Sequence, residues 1–575
     1  MTAVLLLFCA ASCKEDENEP KNEPEDKTVP VTDVTLSSAT TTVAGTPLTL
    51  AATVEPATAT NKTIVWSVKA ANGTGATIAD SVLTVSTAGN VVVAATIAKG
   101  VAAGEDFTKD FTIIVTPALP VVVETPMRYI ENDRIKLGID LNLGGAVTFL
   151  SDNDNGGKNM INSFDWGRQI QMSYYSGPWP YIGPNGETPA DNWAGLGWNP
   201  IQSGDAGGHR STVTAFEMRG QNAMFVRCIP MQWPHTAGVP GDCEFECLYT
   251  LEDNVITMEA TIVNNRSDKT QYRACSQEMP AVYTNGPWYN LVTYLGDQPF
   301  SGQPVTNIVT RNDGKGCPWV HFYTPENWVA LLDGNGKGIG VFQPEVMTFN
   351  GGFHPGDALK GFGGAKDGQT GHIAPVGTQI LDANIRWTYK TAFILGTLND
   401  IRSYAQKHWQ AVTPPEWTFQ NSRQNWYYQG DASDTGFPIE DMLDIRFKKN
   451  ASLVSPVTFW KAADAPVLEI EGAFETASKQ ITLAIEIQPV GKSDFTDWLN
   501  WSEGDQNAET ERQQKAIQFP AMPPLILSET IQADGVNRVY SINPATSPDY
   551  KNVNKSLKFT FSEDGSAKIK RIKLL

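Results

Sequence analysis

At 575 residues the chain exceeds what one hydrophobic core holds, so several domains are expected. Its formal charge is −19, from 44 Lys and Arg against 63 Asp and Glu, which argues against nucleic acid as a partner, because phosphate binding needs a basic footprint. Abundant Gly (49) and Pro (36), 10% aromatics and few long amphipathic stretches point to a mostly β protein.

The first 13 residues, MTAVLLLFCAASC, form a short apolar run ending in small residues and cysteine. The run is too short for a transmembrane helix. AASC resembles a bacterial lipobox, which implies that 1–13 is a signal peptide and Cys13 the lipidated residue. Two features depart from that pattern: no basic residue precedes the run, and Ala10 stands where leucine is usual. Residues 14–28 follow as an acidic linker, with seven acids, three bases and two prolines from Lys14 to Lys27. That composition gives a solvated tether. An acidic run directly after the lipid cysteine resembles the surface-export signal of Bacteroidota lipoproteins. It implies a lipid-anchored protein of the outer membrane, exposed at the cell surface.

Residues 29–117 read as a separate module. VTDVTLSS, TPLTLAATV, KTIVWSV, SVLTV, NVVVAATI and DFTIIV are short alternating runs between turn signals, the pattern of an Ig-like sandwich. Trp66 is its expected core aromatic. The run from VTLSS to IVWSV resembles the bacterial Ig-like group 2 (BIG2) family, which implies a spacer or adhesive module.

Pro117, Pro120 and Pro126 mark a linker, and the pattern changes after it. RIKLGIDLNLGGAVTFLSD reads as two strands joined at Gly144 and Gly145. Strands follow at STVTAFEMRG, NAMFVRCIPMQW, CEFECLYTLED, NVITMEATIVNN, YRACSQEMPAVYT, WVALLDGNGKGIGVFQPE and ANIRWTYKTAFILG. A helix is expected at LNDIRSYAQKHWQA, stopped by Pro414 and Pro415. The order of strand, Gly-Gly turn, strand and aromatic loop, with LEDNVITMEATIVNN and WVALLDGNGKGIGVF, resembles the galactose-mutarotase-like β-supersandwich over 127–412. The resemblance implies a large antiparallel fold that binds sugar in the concave face of a sheet. It transfers no catalytic residue to this chain. Short strands continue through 416–575 and suggest a C-terminal, jelly-roll-like β-sandwich. There Trp417, Trp426, Tyr427 and Tyr428 form either a second sugar platform or a seal between domains.

The loop within 159–210 is the densest functional candidate. Neither helical nor strand periodicity survives from Ser176 to Gly208, and a long structureless segment rich in aromatics is more often functional than disordered. Tyr174, Tyr175, Trp179, Trp193 and Trp198 could cover the C–H faces of a sugar, with Arg168, Gln202 and His209 taking its hydroxyls. The competing reading is an ordered loop packed on its own sheet. His354, in a second Gly-rich turn, is a further substrate-binding candidate.

Cys228, Cys243, Cys247, Cys275 and Cys317 are odd in number after the leader, so they cannot all pair. Cys243 and Cys247 stand about 13 Å apart along an extended strand, too far for a bridge. They read as small buried hydrophobes. No G-x-S-x-G, P-loop or H-E-x-x-H is present, so neither cofactor nor metal is expected. The remaining chemistry is carboxylate acid/base work, or proton transfer by Tyr and His. Glycoside hydrolysis needs two carboxylates across one bond. The candidates are Glu278, Asp165, Asp205 and Glu345. Glu278 is the sharpest, since it sits in an otherwise apolar strand before Pro280 and Tyr283. Asp165 could instead pair with Arg168, and Asp205 could cap a turn. The expected ligand is a polysaccharide or oligosaccharide. A glycoside hydrolase leads, with a polysaccharide lyase less favoured. A non-catalytic glycan-binding protein of a polysaccharide utilisation system and an adhesin are the alternatives.

Overall fold

The computed structural model describes residues 28–116, 122–264, 266–308, 319–354, 364–383, 385–436, 439–491 and 522–575. The lipidation candidate Cys13, the acidic linker to Lys27, Pro117, Pro120 and Cys317 lie outside these residues. The chain divides into two units, Met1–Ala118 and Leu119–Leu575. The described chain is mostly β. Among its residues, Leu398–His408 is the one α-helix, and no helix is long and apolar enough to cross a membrane.

The first unit is built by strict alternation. In the strand Gly89–Ala102, Val91, Val93, Ala95 and Ile97 are all at most 1% exposed, while the residues between them are less buried or packed elsewhere. This strand lies in a four-stranded sheet between Glu105–Thr116 and Val65–Ala70, with Thr41–Val43 at the edge running parallel to Glu105–Thr116. Leu48–Thr49, Val82–Thr84 and Thr77–Ala79 form a second sheet. Trp66 is 9% exposed and its ring tilts against Phe111 at 5.9 Å, as expected of the core aromatic.

In the second unit two large antiparallel sheets share one core. The ten-stranded sheet contains β1 (Met127–Glu131), β2 (Ile135–Asp140), β3 (Ala146–Asp152), β4 (Ile170–Ser173), β5 (Cys275–Asn285), β6 (Val320–Tyr323), β7 (Thr348–His354) and β8 (Thr370–Gln379). Their spatial order is β1-β2-β3-β4-β5-β8-β7-β6. The nine-stranded sheet runs from Thr212–Met218 through Cys243–Glu252, Val255–Asn264 and Ile385–Thr397 to Thr306–Ile308. Cys243, Phe245, Cys247, Tyr249 and Leu251, every second residue of one strand, are at most 5% exposed and meet Leu137, Ile170 and Met172 from the other sheet. The alternation that made CEFECLY readable as a strand is thus the alternation that fills the core. Cys228, Cys243, Cys247 and Cys275 are free thiols, so no disulfide forms among the described residues.

The Gly-Gly turn is real, although a short 3-10 turn at Leu141–Leu143 precedes it. Gly144 (φ +62°) and Gly145 (φ +76°) both adopt the left-handed region, and a Cβ on Gly144 would stand 2.0 Å from the Gln202 carbonyl. The helix begins at a capping box between Thr397 and Asp400. It ends at His408, because Trp409 turns to extended backbone, well before Pro414. Arg402 on it makes a 2.7 Å ion pair with Glu326, whose side chain is fully buried.

The described residues of 416–575 form one connected eleven-stranded sheet folded around a single core. The strand Leu468–Pro489 belongs to both layers: its first half pairs Arg538–Ile542 and Gly565–Leu574, its second half Leu525–Asp534 and Val553–Phe561. This region packs on the larger sandwich through a buried Arg423–Asp382 pair, the Ile380 N–H donating to Asn425 Oδ1 at 3.0 Å, and Phe459 tilted against Tyr323 at 5.5 Å.

Candidate functional site

Glu278 and His372 come together because β5 is irregular. Five residues of β5, from Glu278 to Val282, oppose only four of β8, from Val376 to Ile373. The extra residue is a bulge, and Pro280, which cannot donate a ladder hydrogen bond, lies within it. In an unbroken strand Glu278 and Tyr283, five apart, would face opposite ways. With the bulge, Tyr283 opposes His372 and Glu278 opposes Val376, two residues that share a face of β8. On the next strands Asn350 pairs Ala374 and His321 pairs Asn350, which brings His321 to the same face. The opposite face carries Val282, Ile373, Phe349 and Phe322 into the core. The site therefore lies on the face of the ten-stranded sheet turned away from the core.

Three groups hold the Glu278 carboxylate, whose side chain is 15% exposed. Tyr175 donates its hydroxyl to Oε2 at 3.0 Å and itself accepts from Ser173 Oγ at 3.1 Å. His372 Nε2 lies 3.5 Å from Oε1. That separation is at the long limit of a hydrogen bond, so the contact is electrostatic first. His372 is buried, stacked on Tyr283 at 4.4 Å and tilted against Trp319 at 5.1 Å. Its Nδ1 is 3.3 Å from the Val282 carbonyl. Nδ1–H is placed to serve that carbonyl, which turns Nε2 toward the carboxylate. Burial pushes the Glu278 carboxyl up, but His372 and the hydroxyls of Ser173 and Tyr175 outweigh it and leave the group below the usual glutamate value. His321 is solvent-accessible yet closely walled by protein. Burial lowers its pKa, Glu278 opposes that, and His372 and Lys555 add to the lowering.

Tyr175 is fixed by its backbone. Its N–H donates to Gln277 Oε1 at 2.8 Å, and Gln277 Nε2 donates back to its carbonyl at 2.7 Å. A carboxylate kept ionised can accept a proton or face developing positive charge, and it does not serve as the resting acid.

The expected loop platform resolves differently. Tyr174 and Trp198 are wholly buried in the core: Tyr174 meets Phe245 edge-on at 5.1 Å, and Trp198 Nε1 donates to Asp242 at 2.8 Å. Neither can stack on a ligand. Gln202 is also buried, accepting from the Met172 N–H and donating to the Gly144 carbonyl, so it braces the Gly-Gly turn rather than binding sugar. Asp205 is a loop anchor: it accepts from the N–H groups of Gly207, His209 and Gly238 and lies 2.9 Å from His209 Nδ1. Its oxygens are spent, and it is no acid or base. His209 is correspondingly tied to Asp205. Asp165 pairs with Arg168 at 3.2 Å, and Arg168 also donates to the Gly368 carbonyl. His354 is half-buried, and burial and Arg168 lower its pKa. Glu345 is exposed at the surface, and partial enclosure by protein pushes its carboxyl up. Trp193 packs edge-on with Trp233 at 5.7 Å and Trp179, 37% exposed, with Tyr272 at 5.8 Å.

In the C-terminal region Trp417 and Trp426 are core residues, 5% and 0% exposed, and not a platform. The residues that sequence reasoning missed are His372, His321, Ser173 and Trp319. His372 carried one signal, a histidine inside the apolar strand TGHIAPV. Among the described residues no three His, Cys, Asp or Glu side chains are grouped as a metal site requires.

Fold and site together define a multi-sandwich β protein with a carboxylate–imidazole pair on the outer face of its ten-stranded sheet. No family model matches the chain, and no curated protein does. Among solved structures, a protein described as an aldose 1-epimerase from Escherichia coli K12 is 9% identical, with 47% of this chain and 99% of that one covered and a TM-score of 0.31. An α-galactosidase from Geobacillus stearothermophilus is 11% identical, covering 49% and 42%, with a TM-score of 0.29. An α-mannosidase from Enterococcus faecalis V583 is 11% identical, covering 69% and 46%, with a TM-score of 0.28. The chain thus spans less than half the length of these two glycosidases.

Proposed function

We propose that the outer face of the ten-stranded sheet binds a saccharide and moves a proton on it, with Glu278 as the ionised acceptor and His372 as the donor. The observation that supports this reading is the Glu278 carboxylate held by Tyr175 and His372 beside the Tyr283 and Trp319 rings. Aromatic faces beside fixed polar groups suit a pyranose. The groups acting most strongly on Glu278 are His372, Ser173 and Tyr175, none of them a carboxylate. Cleavage by paired carboxylates needs a second one within about 9.5 Å. One-carboxylate proton transfer, as in epimerisation or elimination, is the chemistry this pair supports; the hydrolysis expected from the sequence would require a second carboxylate facing Glu278. We further propose that Cys13 is lipidated and that the protein serves polysaccharide uptake at the cell surface; AASC and the acidic run after it support this.

The test is a panel of plant and microbial glycans offered to the wild type, Glu278→Gln and His372→Asn, reading retention and product together. Glycan turnover that falls at least about a hundredfold in both variants, with retention kept, supports the reading. Retention without turnover in the wild type would leave a glycan-binding protein. Release of Cys13→Ala from the membrane fraction tests the anchor, and a variant that stays membrane-bound would refute it.

A further inference from the structure

A cavity of about 540 Å³ lies where residues 269–273 face 423–436, before the start of β5. It is large enough for one or two sugar rings. Its walls include Lys269, Arg273, Arg423 and, as the one acid, Asp434. That excess of cations stands out on a chain of net charge −19. Arg423 is committed to the buried Asp382. Arg273 lies over the Trp179 ring at 4.8 Å, and among the described residues neither Arg273 nor Lys269 has a carboxylate within 4.0 Å. The ring walls are fixed by their own hydroxyls: Tyr272 donates to Asp268 at 2.6 Å and Tyr428 to Asp434 at 2.9 Å. Two cations without a carboxylate partner among the described residues, one of them already held over a ring, stand beside two immobilised tyrosines and can take an anionic group and the ring that bears it.

We propose that this cavity is a second saccharide site, selective for a sugar residue that carries a carboxylate or a sulfate, with Lys269 and Arg273 receiving the anion. The proposal deepens the saccharide reading above but uses none of the groups around Glu278. The test is calorimetric titration of the full chain with tetragalacturonate and, separately, a heparin-derived tetrasaccharide. Each is paired with its charge-free counterpart, methyl-esterified or desulfated. The wild type should bind one acidic form at least about tenfold more tightly than its neutral counterpart. The double variant Lys269→Gln/Arg273→Gln should lose that preference while its melting temperature stays unchanged, and Glu278→Gln should keep it. Which tetrasaccharide binds separates carboxylate from sulfate. Equal affinity for charged and neutral forms, no binding of either acid, or an unaltered preference in the double variant would each overturn the proposal. Should Glu278→Gln keep both the preference and full turnover, the proton-transfer reading fails while this site stands.

Discussion

At the scale of single residues, the site rests on how Glu278 is held. Its folded carboxyl titrates below the usual glutamate value of about 4.3. A depressed carboxyl contributes stability that is full above the unfolded value and is lost as pH falls through the folded one. Acid titration of the wild type should therefore show a stability loss confined to pH below about 4.3, and Glu278→Gln should lack that component. Turnover should likewise keep its carboxylate through mildly acidic pH. The tryptophans divide by the same kind of argument. Trp198 is wholly buried and bonded to Asp242, so Trp198→Ala should cost about 3–5 kcal/mol in denaturant melts. Trp179 is 37% exposed, so Trp179→Ala should cost less than about 1 kcal/mol. Similar losses for the two would mean that the loop is not divided in this way.

At the scale of elements, two devices position the site: the Gly-Gly turn and the bulge in β5. Gly144→Ala would force a side chain into the left-handed region and against the Gln202 carbonyl, so it should cost at least about 2 kcal/mol by thermal melting. The turn was legible in the sequence, because glycine pairs between apolar runs have few other uses. So were most strands, since alternation is written residue by residue, and so was Glu278 as a carboxylate misplaced in an apolar strand. The bulge was not legible. Nothing in SQEMPAVY states that Glu278 and Tyr283 share a face, and that sharing is what recruits His372 and His321 from β8 and β6. The loop misled for a related reason. Composition counted its aromatics, but Tyr174 and Trp198 turn inward, each toward partners from distant strands.

At the scale of the whole molecule, the first unit and the remainder are separate compact bodies, and the candidate site belongs entirely to the second. A chain of residues 119–575 should unfold cooperatively and keep any saccharide affinity of the full protein. Broad, non-cooperative melting of that chain would show that the Ig-like module completes its core. Within the second unit, the C-terminal sandwich reaches the candidate site through Lys555 near His321 and Phe459 against Tyr323, so the two sandwiches meet beside it. The most direct measurement of the central claim compares wild type and Glu278→Gln on a glycan retained by both. Product formation is followed by NMR, and retention by affinity electrophoresis. The expected result is unchanged retention with turnover reduced at least about a hundredfold. Full turnover in Glu278→Gln would contradict the claim.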